Sequence, residues 1–374
     1  MADRVLSQRA LNRALLARQH LIERRSSSAL HEIEHLVGMQ AQVPNAPYVG
    51  LWSRLAGFEP SELGDLIEQR QAVRIGIMRN TLHLVSARDC LRLWPLFQPL
   101  AAQRLRASPF GRATAGVDLK AVVHEARRRF NEKPRTIKQL GELLQARWPQ
   151  APAVSLAYVT RHLMPLIQVP PRGVWGKRGQ ATWSTAEIWL GHSLERNPSL
   201  ESLVPRYLQA FGPASVADIA AWSGLSGLRP VVETLRRDLR SFKDERGREL
   251  LDMPDGMLPD PRTPAPPRFL PEFDNILLSH QDRTRVIAFE HRYVVASGTF
   301  LLDGVVGGIW SIGKGNDASR LTISSFHPLK RGDRTGLAEE GERLLAFAAP
   351  SPAQTGIDFV VKPPTMPSPR GGGN

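Results

Sequence analysis

Residues 134–185 read PRTIKQLGELLQARWPQAPAVSLAYVTRHLMPLIQVPPRGVWGKRGQATWST, and their order of elements decides the fold. Pro134-Arg135-Thr136 opens a helix with Ile137, Leu140, Leu143 and Leu144 on one face, the spacing of an amphipathic helix. A second helix follows over roughly 153–164, carrying Val154, Leu156, Tyr158, Val159 and Leu163. Pro165 ends it, because proline removes a donor and crowds the preceding turn. LIQV (166–169) reads as a strand, and the basic, glycine-rich loop at 170–180 returns into TWST as its partner. Upstream, Leu119, Val122, Val123 and Ala126 mark another helix over 117–131. Helix, helix-turn-helix and strand–loop–strand wing together make a winged helix.

Working outward, the same order recurs. At 199–253 a helix bearing Leu203, Tyr207 and Phe211 reaches Gly212-Pro213, and SVADIAAWSGL with RPVVETLRRDLRSF supplies a helix-turn-helix. A polar turn at Asp244–Gly247 then precedes the strand RELLDM. Residues 5–85 follow the plan less tidily, with AVRIGIMRNTLHLV as two strands bent at Arg79-Asn80. After Gly256 the composition changes. MLPDPRTPAPPRFLPEF is proline-dense and reads as a linker, and beyond it RVIAFEHRYVVAS, GTFLLDGVVGGIWSI and RLTISSFHP read as strands. Asp303-Gly304 between alternating apolar residues signals a type I′ hairpin. One helix is expected near 336–348. The expected fold is therefore α+β: three tandem winged helices at 1–112, 113–193 and 194–258, a small β-barrel-like domain at 259–362, and a disordered tail at 363–374.

The chain has 374 residues and a formal net charge of +13, with only eight lysines among its 49 basic residues. Arginine presents a planar fork of donors suited to phosphate, so the excess points to nucleic acid. GC-rich coding DNA offers a bland explanation of the same excess. Cys90 is the only cysteine, which excludes an internal disulfide framework and a cysteine-based zinc cluster. The N-terminus reads as an amphipathic helix without the apolar core of a signal peptide. No apolar run approaches the length that spans a bilayer. A cytoplasmic monomer without a membrane partner is expected.

HEIEHLVGMQAQ (31–42) offers two competing sites. His31-Glu32-Ile33-Glu34-His35 matches H-E-x-x-H, in which two imidazoles at i and i+4 of a helix reach one Zn²⁺. Glu59 or Glu62 would have to supply the third ligand. Against metal stand the charged Glu34 between the would-be ligands, the buried stripe of Leu30, Ile33, Leu36 and Met39, and a unit too small to wall off a protease cleft. No metal is expected. In the other candidate, Gln40 and Gln42, the side chains diverge by about 200° on a helix but share a side of an extended segment. Pro44 biases Val43 away from helix, so the helix should end near Met39 and leave both amides facing one pocket.

The context of that pair carries a resemblance. LVGMQAQVPNAPYVGLWSRL (36–55), IMRNTLHLVSARD (77–89), FLPEFDNILLSHQDR (269–283) and TFLLDGVVGGIW (299–310) resemble, in that order, segments of the AlkZ/YcaQ winged-helix DNA glycosylases. The likeness extends over nearly the whole chain. It implies that Gln40 and Gln42 are the catalytic pair. The YcaQ-like branch is similar but has aspartate second, so Gln42 places the chain on the AlkZ-like side, whose members often accompany alkylating antibiotics. The implied substrate is double-stranded DNA carrying N7-alkylated guanine, with bulky adducts and interstrand crosslinks within scope, and no cofactor is needed.

Arg54, Arg79 and Asn80 are the candidate DNA contacts nearest the chemistry. Arg172, Lys177 and Arg178 are candidate phosphate contacts, because a glycine-rich basic loop can follow a backbone closely. The hairpin tip at Asp303–Gly307, with Asp303 and Gly304 foremost, is a candidate groove contact on shape and resemblance. Trp52 and Trp175 read as core residues with stacking as the alternative, and His83 reads as a satisfied core histidine. A non-enzymatic winged-helix transcriptional regulator, with the β domain as ligand sensor, would explain the charge and the repeats equally well.

Overall fold

The computed structural model describes residues 4–314, 318–349 and 354–362; the tail at 363–374 lies outside the described residues. The first segment runs β1 (Val5–Leu6), α1 (Gln8–Arg18), α2 (Ala29–His35), β2 (Met39–Gln40), α3 (Ala46–Arg54), α4 (Pro60–Glu68), β3 (Ala72–Gly76), β4 (Leu82–Ser86), α5 (Ala87–Ala107) and α6 (Pro109–Arg112). The second has α7 (Leu119–Glu132), β5 (Arg135–Thr136), α8 (Ile137–Gln145), α9 (Ala153–Leu163), β6 (Leu166–Val169), β7 (Thr182–Thr185) and α10 (Ala186–Leu190). Its elements fall where the periodicity put them. Thr136 and Gln139 close a reciprocal capping box at the start of α8, which satisfies two otherwise orphaned N–H groups. The third segment has α11 (Leu203–Phe211), α12 (Val216–Ser223), α13 (Leu228–Leu235), β8 (Arg240–Asp244) and β9 (Glu249–Asp252).

The strand pairs of the first two segments are not separate. Arg74 pairs with Gln168 and Ile75 with Ile167, so β3 joins β6 and one six-stranded sheet runs in the order β2-β4-β3-β6-β7-β5. At the other end of the molecule β1 lies parallel to β8, which ties the start of the chain to the third segment.

The C-terminal region holds β10 (Arg268–Leu270), β11 (Gly298–Leu302), β12 (Val305–Lys314), β13 (Ala318–Ser325), α14 (Arg331–Ala348) and β14 (Gln354–Val361). These strands form a five-stranded sheet ordered β10-β11-β12-β13-β14. The sheet is open among the described residues, so the expected barrel-like closure is not formed. The parallel pair β13–β14 needs a long crossover, and α14 provides it. Two further expectations change. The proline-rich linker stops at Pro267, because Phe269 and Leu270 are fully buried in β10. RVIAFEHRYVVAS is not a strand: Phe289–Ala296 is 3₁₀-helical, with His291 and Val294, three residues apart, turned inward. The 21-residue α5, with Pro95 and Pro99 inside it, was hidden by those prolines. The two-residue turn at Asp303-Gly304 is present, both residues having positive φ, as a type I′ turn requires.

Buried charge pairs join these parts. Arg54 donates from Nη2 to Asp274 Oδ1 at 2.8 Å and from Nη1 to Oδ2 at 2.9 Å, both side chains being shut off from solvent. Arg18 makes the same fork with Asp252 at 2.6 and 2.8 Å, linking α1 to β9. Removing one member of a buried pair strands the other charge in a low dielectric, costing about 3–5 kcal/mol. Arg54→Ala should therefore lower unfolding stability by about that amount, whereas the double change Arg54→Leu, Asp274→Leu should cost clearly less. Chemical denaturation of the three proteins checks this, and equal losses would show that the pairing is not what matters.

Candidate functional site

The paired amides sit just beyond a helix that closes sharply. α2 ends at His35, four residues before the expected Met39. The reason is a Schellman-type close: Val37 N–H reaches Glu34 O at 3.1 Å and Gly38 N–H reaches Ile33 O at 2.8 Å, with Val37 left-handed at φ 55 and Gly38 at φ 96. A Cβ on Gly38 would meet Val85 at 2.7 Å, so only glycine fits there. The chain then extends as β2, with Gln40 opposite His83 on β4. Ala41 N–H donates to Leu82 O at 2.8 Å.

Both amide oxygens are fixed by groups that can only donate. Arg79 Nη2 donates to Gln40 Oε1 at 2.8 Å, and Leu82 N–H donates to Gln42 Oε1 at 3.0 Å. An oxygen must face each of those donors, which settles the amide orientation and leaves one lone pair on each oxygen. Gln40 is buried and Gln42 exposed. Arg79 also donates to Trp222 O at the end of α12, and burial, with nearby Arg283, lowers its guanidinium to about 10. Arg79 and Asn80 are both left-handed, at φ 55 and 60. Asparagine tolerates that region, while arginine pays strain of about 1–2 kcal/mol. His83 donates from Nδ1 to Thr81 O at 2.9 Å and turns Nε2 toward Arg79 Nη2 at 3.4 Å. Burial, reinforced by the Arg79 charge, pushes it down to about 3. His83 is a neutral core histidine.

Gln42 opens onto a cleft that Asn80, Leu82, Tyr158, Arg161, His162 and Trp183 also line. Asn80 Nδ2 donates to His162 Nε2 at 3.0 Å, and His162 Nδ1 donates to Tyr158 O at 2.9 Å, a neutral tautomer consistent with burial lowering its pKa. Arg161 lies over the Tyr158 and Trp183 rings. Neither a carboxylate nor a lysine lines this cleft. Tyr158, Arg161 and His162 were missed from the sequence; their placement together at the end of α9, facing the wing, was the available signal.

The other candidates divide. Arg79 and Asn80 are with the glutamines. Arg172, Lys177 and Arg178 are on the separate β6–β7 loop, where Arg178 is exposed and Lys177 pairs with Glu68. Arg54 is corrected: it is fully buried on Asp274 and cannot reach a phosphate. The hairpin tip is already engaged. Asp303 is held by Arg9 and Arg13, and Gly304 O accepts from Asn12 at 2.8 Å, so the tip is docked on α1 with its carboxylate paired to basic residues of the same chain. Trp52 stacks on Phe347, and Trp175 packs on Tyr48 and Phe347. In the H-E-x-x-H stretch, Glu32 accepts from His20 at 2.9 Å, His35 Nε2 meets Arg18 O at 2.7 Å, and Glu62 caps α2 at Ala29 N–H.

The sequence profile described as "AlkZ-like: DNA glycosylase AlkZ-like" matches residues 33–347. Among solved structures, the Streptomyces sahachiroi DNA glycosylase AlkZ is similar, with a TM-score of 0.77 at 21% identity, covering 95% of this chain and 100% of that one. No curated protein matches.

The depressed His83 pKa fixes an acid response. An unfolded histidine titrates near 6.5 while the folded one waits until about 3. Below 6.5 the unfolded chain takes up a proton that the native protein refuses, so stability is present above 6.5 and is lost as pH falls toward 3. Buried His280 acts in the same direction. Thermal melts at about pH 7 and 5 should show a smaller drop for His83→Asn than for the wild type. An equal drop would mean that His83 is charged in the native state.

Proposed function

The chain belongs to the AlkZ-like DNA glycosylase family, and from that premise we propose that it hydrolyses the N-glycosidic bond of N7-alkylated guanine in double-stranded DNA. The observation that carries this is the pair of amides, Gln40 and Gln42, each with its oxygen set by a dedicated donor. Glutamine does not titrate near neutrality and cannot serve as an ordinary general base. An N7-alkylguanine already carries positive charge and needs no acid. The C1′–N9 bond breaks with its electron pair going to the base, which leaves neutral. Water adds to C1′ and releases its proton to solvent. The protein's task is to place that water and to face the cationic sugar with oxygen dipoles. The remaining lone pair on each amide oxygen suits both.

The cleft supports the same reading. With no carboxylate lining it, it favours bases that are already activated and offers little to normal purines. With no lysine lining it, no Schiff base with the sugar is expected, so the enzyme is monofunctional and leaves an abasic site. Exposure of Gln42 on an open surface suits bulky genotoxin adducts and interstrand crosslinks, and with them self-resistance to an alkylating antibiotic. In this proposal the three winged-helix segments form the duplex-binding surface of a cytoplasmic monomer, with Arg172, Lys177 and Arg178 on the backbone.

The test is excision from duplex DNA containing N7-methylguanine. Gln40→Ala and Gln42→Ala should each lose on the order of 10²-fold or more, by analogy with removing one preorganised polar group. Gln42→Asp should retain activity, since a carboxylate accepts the same hydrogen bonds. Full activity in Gln42→Ala sinks the mechanism. Sequence-specific binding with no excision of methylated or bulky adducts would replace the enzyme by a regulator. The excision rate should also stay flat between about pH 7 and 9, because the site does not depend on a group titrating there. A bell-shaped profile would require a general acid or base.

A further inference from the structure

Arg283 closes one of the stretches that carry the family resemblance, yet nothing so far uses it. It is half-buried, and burial lowers its pKa. Among the described residues no carboxylate pairs with its guanidinium. Its charge is felt at Arg79, the residue that holds Gln40. Both arginines sit on segments docked against α12: Arg79 donates to Trp222 O, and Gln281 N–H donates to Asp218 Oδ1 at 2.9 Å. Two half-buried cations near one another, neither neutralised, leave a local demand for an anion.

The demand continues into a cleft of about 890 Å³ between the β8–β9 turn and the 281–293 segment. Four arginines, Arg246, Arg248, Arg283 and Arg292, line it against a single aspartate, Asp282. Asp282 is taken up by Arg246 at 3.0 Å and Arg248 at 3.3 Å. Phe289 stands at the rim with 67% of its surface exposed, and the Arg292 guanidinium lies 3.8 Å from its ring centre. Tyr293 lines the cleft as well, with its hydroxyl buried and without a hydrogen-bond partner among the described residues. Basic groups interleaved with an exposed aromatic ring match a nucleic-acid strand, with anionic oxygens and stackable bases.

We propose that this cleft carries the DNA strand flanking the lesion, with Arg283 gripping the phosphate next to the damaged nucleotide and Phe289 stacking on a base farther along. The assignment rests on the glycosylase reading above. It also divides labour between two guanidiniums. Arg79 orients the amide that does chemistry, and Arg283 registers the strand against it.

The measurement is binding of undamaged duplex by fluorescence anisotropy across a salt series. Each lost phosphate contact lowers the slope of log K against log salt by about one. Arg283→Gln should show that smaller slope, and Arg283→Lys should restore it, which a merely structural role would not. Phe289→Ala should keep the slope and weaken binding on the order of tenfold. If Arg283→Gln fails to fold, Arg283→Met, which keeps the apolar stem and removes the charge, should show the reduced slope in its place. A wild-type slope in the folded arginine variant overturns the phosphate grip, and wild-type affinity in Phe289→Ala overturns the stacking. A wild-type protein that excises N7-methylguanine while these variants bind normally removes this inference alone. A wild-type protein that neither binds duplex nor excises removes the glycosylase reading, and this inference with it.

Discussion

The two-pronged contact between Arg54 and Asp274 holds the site in place from below. Asp274 accepts both prongs and also Ile276 N–H at 3.1 Å, which starts the short turn of 3₁₀ helix at Asn275–Leu277. Asn275, held in that turn, donates from Nδ2 to Gly38 O at 2.8 Å, and Gly38 is two residues from Gln40. Arg54 Nη2 reaches Gln19 Oε1 at 3.2 Å as well, and Gln19 donates to Ala210 O at 2.7 Å. One buried cation thus links α1, α3, α11 and the 274–275 turn, and through that turn fixes where the strand bearing Gln40 begins. A charge so deeply placed needs every one of these partners, because an unmet hydrogen bond in the interior costs more than a made one gains.

The arginine-rich composition has two meanings in the folded protein. Arg13, Arg18, Arg54, Arg74, Arg268 and Arg285 are all buried. Their forked donors join carboxylates and carbonyls between distant segments, as with Arg18 on Asp252 and Leu208 O. A second group is at least partly open to solvent and has no carboxylate partner among the described residues, exposed Arg178 and half-buried Arg283 among them. Internal and external arginines look alike in a composition table. The excess of positive charge is therefore a weaker statement about DNA than its size suggests, and the placement of the unpaired members is a stronger one.

That difference sets what could be read from the chain alone. The helices and wing of the second segment were legible because apolar spacing, Thr136 and Pro165 all agree on their limits. The end of the helix before Gln40 was legible from Pro44, although it stops earlier, at a left-handed valine that no propensity favours, and the strand covers only Met39–Gln40, with Gln42 in a bend. The partners of Arg54 and Asp303 were hidden for one reason: a charged residue does not announce whether its partner is a phosphate or a distant residue of the same chain, and theirs lie 220 positions away for Arg54 and 290 and 294 for Asp303. The joining of β3 to β6 across two segments was equally invisible, since backbone pairing between edges leaves no mark in either strand. Phe289–Ala296 misled because β-branched and aromatic residues suggest strand, while the inward turn of residues three apart decided for 3₁₀ helix.

Arg79 occupies a backbone conformation that glycine would enter freely, and its neighbour Asn80 does the same. Thermodynamic selection and functional selection therefore pull on this codon in opposite directions. A lineage freed from the need to act on DNA would gain by exchanging the arginine for a smaller, more permissive residue. A lineage still using the site would have to keep paying in folding stability for a guanidinium aimed at Gln40. In the freed lineage the strained side chain would be expected among the early losses.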